Sequence, residues 1–123
     1  MYIEATDLKK MDNLIDYYKD IGEDKGFNSV WSMWTVNDWQ DMSDASGIPE
    51  GTLIRLWSIW GDRGKKSYAT VKGKTWLDVW AACDKAIADS GDEDHIYIEA
   101  LSWITIEKQD GTTEKFLELT TGS

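Results

Sequence analysis

The chain has 123 residues, 41% hydrophobic and 29% charged, with 13 Lys and Arg against 23 Asp and Glu for a formal charge of −10. This length suits a single globular domain, 1–123, with a core of its own, and eight Trp exclude the aromatic-poor composition of a disordered chain. The acidic balance disfavours attraction to phosphate backbones, so direct nucleic-acid binding is not expected.

Residues 6–22 carry Leu8, Met11, Leu14, Ile15 and Tyr18 at helical spacing. Thr6 is placed to cap this helix, Asp7 lies in its favourable first turn, and Gly22 is the expected stop. After the polar turn 23–28, SVWSMWTV at 29–36 has the β-branched and aromatic content of a strand, although the spacing of Trp31 and Trp34 also suits a helix. Asn37 then caps a short helical turn, NDWQDMSDAS, in which Asp38, Asp41 and Asp44 recur three apart.

Ile48-Pro49-Glu50-Gly51 is a turn and holds the single proline. A hairpin follows. Residues 53–60 are apolar at nearly every position, Gly61-Asp62-Arg63-Gly64 reverses the chain, and KSYATVK returns. The segment VWSMW at 30–34 is echoed by LWSIW at 56–60, which suggests neighbouring strands in one environment.

The second helix starts at Thr75, where Thr75-x-x-Asp78 is a variant capping box. Trp76, Val79, Trp80, Cys83 and Ile87 then define its apolar face, and Ser90-Gly91 closes it. Beyond the acidic loop Asp92-Glu93-Asp94, HIYIEALSWITIEK is a long strand. Strict alternation puts Ile96, Ile98, Ala100, Ser102, Ile104 and Ile106 on one face and Tyr97, Glu99, Leu101, Trp103 and Thr105 on the other. The turn 109–112 joins it to a last strand, TEKFLELT. The order helix, strand, short helix, hairpin, helix, hairpin predicts an α+β fold. Its sheet is expected to be mostly antiparallel, of about five strands, with the helices packed on one face.

No catalytic motif or cofactor fingerprint appears, and no cofactor is expected. Gly61 to Ser67 lacks P-loop spacing, because two residues rather than four separate its glycines and a strand follows. One Cys, Cys83, excludes an intrachain disulfide and a cysteine zinc site. Asp92, Asp94 and His95 form the one cluster a divalent cation would draw on; EF-hand spacing is absent, and the loop is read as solvated. The N-terminal stretch has no signal-peptide pattern and no window spans a membrane, so a soluble cytoplasmic protein is expected.

The charge distribution singles out the first hairpin. Between Arg55 and Lys74, six basic residues face Asp62 alone, a net +5, while the remaining seven basic and 22 acidic residues give −15. With the excess of Trp, this points to a protein partner or to self-assembly, with Arg55, Trp57, Trp60, Arg63, Lys65 and Lys66 as candidate binding residues. An acidic surface of this kind also suits nucleic-acid mimicry, as in small viral or mobile-element inhibitors. The alternative is a small-ligand binder or enzyme with a Trp-lined pocket and Arg55 or Arg63 on an anionic group.

Overall fold

The computed structural model describes residues 16–32, 41–58 and 65–122. Helix α1 occupies 16–25 within them, followed by strands β1 (Val30–Trp31), β2 (Leu53–Ser58) and β3 (Lys65–Thr70). Helix α2 (Trp76–Ser90) comes next, then strands β4 (Tyr97–Glu107) and β5 (Thr113–Gly122). The class is α+β, and the five strands form one sheet in the order β1-β4-β5-β2-β3.

The sheet has the expected five strands but is mixed, so the mostly antiparallel expectation holds only in part. Both hairpins, β2–β3 and β4–β5, are antiparallel, but β5 joins β2 in parallel and β1 joins β4 in parallel. Turn residues specify pairing within a hairpin only. The chain leaves β3 at one edge and crosses through α2 to β4, so the contact between the hairpins is set by packing and not by a turn.

Helix α2 follows its sequence signals closely. Asp78 N–H donates to Thr75 Oγ1 at 3.3 Å and Thr75 N–H donates to Asp78 Oδ2 at 3.0 Å, a reciprocal capping box. The C-cap Gly91 has φ 77°, a left-handed conformation that glycine adopts without Cβ strain. Val79, Trp80, Cys83, Ala86 and Ile87 are buried in one cluster with Ile54 and Leu56 of β2 and Leu117 and Leu119 of β5. The Ser67 hydroxyl of β3 donates to the Ala86 carbonyl at 2.6 Å, tying α2 to the sheet edge. Burial among these apolar groups pushes the Cys83 thiol far above its ordinary pKa.

Helix α1 runs past Gly22 instead of stopping there. Gly22 is buried against the Trp80 ring, and the helix ends in Gly26 at φ 72°, with Phe27 N–H donating to the Gly22 carbonyl at 2.9 Å. The smallness of Gly22 thus serves packing, and the capping role passes to Gly26. The start of the predicted helix at Thr6, with Leu8, Met11, Leu14 and Ile15, lies outside the described residues.

Trp80 organises the contact between α1, β1 and α2. Its ring meets Tyr18 edge-on at 6.4 Å, Phe27 at 5.0 Å and Trp31 at 5.9 Å. Its indole N–H donates to Ser29 Oγ at 3.1 Å, and that hydroxyl donates to Asp84 Oδ1 at 2.7 Å. The same carboxylate oxygen accepts the backbone N–H groups of Asn28 and Ser29, so one side chain of α2 fixes the entry to β1.

Three further expectations change. The predicted strand 29–36 is seen as Val30–Trp31, with 33–40 outside the described residues. Of the short helical turn, 41–46 is not helical: Asp41 Oδ1 accepts from Ser43 N–H and Oγ, and Ala45 bridges Thr75. The echo of VWSMW in LWSIW marks neither neighbours nor a shared environment, because β4 and β5 separate β1 from β2 and Trp31 is buried where Trp57 is exposed.

The faces of β4 are also redistributed. Its register against β5 shifts between Ile98 and Ala100, so Ile98 joins Leu101 and Trp103 on the face of Leu117 and Leu119. A bulge inserts one residue and inverts the alternation beyond it. Ile104 and Ile106 therefore lie on the opposite face, where Ile106 is exposed.

Candidate interaction surface

The sheet has two unlike faces. Ile54, Leu56, Ser67, Ala69, Leu117 and Leu119 are buried on the face that carries α2. Alternation sends Leu53, Arg55 and Trp57 of β2, Lys66, Tyr68 and Thr70 of β3, and Phe116 and Glu118 of β5 to the other face. On this open face Trp57 is 53% exposed and Tyr68 47% exposed.

The ladder decides which of these side chains meet. Trp57 lies directly opposite Lys66, whose ammonium sits 5.4 Å from the indole centroid in a cation–π contact. Arg55 lies opposite Tyr68 on one side and Glu118 on the other. Its Nη2 donates to Glu118 Oε2 at 2.5 Å, and its guanidinium stacks 4.4 Å from the centroid of Phe116, itself only 2% exposed. The Arg55 side chain is 15% exposed, and its buried Nε has no hydrogen-bond acceptor among the described residues. A guanidinium on an aromatic floor, fixed by one carboxylate and flanked by exposed Trp and Tyr, has the composition of a binding hot spot.

Of the residues singled out by sequence, the structure brings Arg55, Trp57 and Lys66 together. Lys65 pairs with Ser58 across the ladder, at the end of the hairpin nearest the predicted tip. Trp60 and Arg63 lie outside the described residues. Tyr68, Phe116 and Glu118 were not signalled. Tyr68 becomes significant only once the register sets it beside Arg55, and Glu118 lies 63 residues from its partner.

The acidic loop is arranged differently. Asp92 is buried, and its Oδ1 accepts the backbone N–H groups of Asp94 at 2.9 Å and His95 at 3.1 Å. Its Oδ2 lies 2.9 Å from His95 Nδ1, so the carboxylate is engaged by its own loop. Among the described residues no group of three or more His, Cys, Asp or Glu is disposed to hold a metal ion. A depression of about 580 Å³ between α1 and the start of α2, lined by Tyr17, Asp20, Lys25, Met42 and Leu77 among others, contains none of the candidate binding residues. Desolvation beside this depression raises the Tyr17 phenol above its ordinary pKa, and its hydroxyl donates to Asp41 at 3.2 Å.

No helix among the described residues is long and apolar enough to cross a membrane. Comparison of the chain with protein-family models, curated proteins and solved structures returned no match.

Proposed function

We propose that this is a small, acidic, non-enzymatic interaction domain of the cytoplasm that binds a protein partner through the open face of its sheet. The observation that carries the reading is the exposed pair Trp57 and Tyr68, set around the Arg55–Glu118 ion pair and beside Lys66. Trp, Tyr and Arg dominate the energetics of protein interfaces, and their clustering on one face, with Trp57 and Tyr68 exposed, concentrates contact area where little ordering is needed. Self-assembly through the same face is the other form of this reading.

The test is affinity capture by wild-type protein, by Trp57→Ala and by Lys85→Ala, a control on the exposed side of α2. Thermal melts establish that each is folded. Partners retained by Lys85→Ala and lost by Trp57→Ala are the expected result, and identical partner sets for all three would overturn it. The small-ligand alternative places an anionic group against Arg55 beside the exposed Trp57. It predicts saturable binding of a small carboxylate or phosphate that Arg55→Met abolishes.

A further inference from the structure

We infer that β3 is an acceptor edge for one added strand, and that its occupant is an extended, acidic segment of a partner protein. The inference rests on the open-face reading and specifies how that face is engaged. Among the described residues strand β3 is the last in the sheet, with β2 on one side and no strand on the other.

The direction of its free backbone groups follows from a single anchor. Val71 N–H donates to the Thr52 carbonyl at 2.9 Å, and the Val71 carbonyl accepts Gly51 N–H at 2.8 Å, so both polar groups of Val71 point toward β2. The β2–β3 register runs without a shift from Leu53 opposite Thr70 to Ser58 opposite Lys65. N–H and C=O groups in a strand alternate in direction. Those of Ala69 and Ser67 therefore face β2, and those of Lys66, Tyr68 and Thr70 face outward. These three residues also place their side chains on the open face, where all three are exposed. One added strand would meet backbone donors and acceptors at the edge and the Trp57–Lys66–Tyr68 surface beside it, which is how sheet-edge recognition joins affinity to specificity.

Charge selects the occupant. Lys66, Lys72 and Lys74 are exposed and make no ion pair among the described residues. Lysines on an edge repel a second basic edge, so two β3 strands from two copies of this chain are a poor match. A segment carrying Asp or Glu is complementary to all three lysines. On the open face the register favours a carboxylate opposite Lys66 and, two residues away, an aromatic or β-branched side chain opposite Tyr68.

The experiment selects 12-residue peptides from a randomised display library on the immobilised protein. A synthetic version of the best binder is then titrated while amide hydrogen exchange is followed. Enrichment of acidic sequences with alternating apolar residues is expected, with slowed exchange at the Lys66, Tyr68 and Thr70 amides. Lys66→Glu should weaken binding at least fivefold. Thr70→Pro removes an outward N–H without touching the ladder to β2 and should do the same.

Absence of any enriched peptide, enrichment of basic or uncharged peptides, or unchanged exchange at those amides would overturn the inference. Protection that grows with protein concentration alone would overturn it too, because the occupant would then be a second copy. Trp57→Ala separates the two levels. Peptides that depend on Trp57 but leave the edge amides unprotected refute the added strand and keep the open-face reading. Peptides indifferent to Trp57 refute that reading as well.

Discussion

The Arg55–Glu118 pair gives an asymmetric prediction about stability. In Glu118→Ala the Arg55 guanidinium, 15% exposed, loses the one ion-pair partner it has among the described residues, where its Nε already lacks an acceptor. Breaking a fully buried pair costs about 3–5 kcal/mol, and exposed pairs are worth about 0–1 kcal/mol. Glu118 is 35% exposed, which places the loss between these limits, at about 2 kcal/mol. In Arg55→Met the apolar stem still covers Phe116 and Glu118 is left to hydrate. That change forfeits mainly the cation–π contact, about 0.5–1 kcal/mol. Urea unfolding followed by Trp fluorescence measures both, and about 2 kcal/mol corresponds to a midpoint shift of about 1 M. A costlier Arg55→Met, or a Glu118→Ala within about 0.5 kcal/mol of wild type, inside the range of neutral surface substitutions, would show that the guanidinium does not depend on Glu118.

Other predictions concern the supports of the sheet. Asp84→Ala leaves the Asn28 and Ser29 N–H groups and the Ser29 hydroxyl without their acceptor, and should cost about 2–4 kcal/mol in the same assay; a loss under about 1 kcal/mol contradicts the role given to this carboxylate. The Thr75 hydroxyl and then its backbone N–H hold the Asp78 carboxyl below its ordinary pKa. A carboxyl depressed by folding stabilises the fold above the unfolded value of 3.8, and that contribution is lost as pH falls through the folded value. Asp78→Asn should therefore flatten the loss of stability below about pH 4, and an unaltered acid limb would contradict the capping box. The Cys83 thiol is buried and its ionisation suppressed, so native protein should react with a thiol reagent only as fast as it unfolds, and rapid native labelling would be inconsistent with its placement.

Local signals in the chain were readable and distant ones were not. Helix α2 is stated by its capping box, its apolar spacing and Gly91, all within one stretch of sequence. The turns before β2 and between β4 and β5 are equally local: Gly51 and Gly111 both take positive φ where the turn residues required it. The bulge near Glu99 has no such marker, and one inserted residue suffices to exchange the faces of every later side chain in β4. The parallel contact of β2 with β5 joins residues more than 60 apart in sequence, and it creates the Arg55–Glu118–Phe116 cluster. The sequence drew attention to Arg55, Trp57 and Lys66 through charge and aromatic content. Only the register shows that Tyr68 completes their surface, and that Trp31, in the matching motif, is a core residue.

The proposed function requires a partner docked on the open face beside β3. Placing the photo-crosslinking residue p-benzoyl-phenylalanine at Tyr68, and separately at Lys85 on α2, tests it most directly. Irradiation in the native cell extract should give a discrete adduct from position 68 that is absent from position 85. No adduct at position 68, or the same adduct from both positions, would exclude docking on this face.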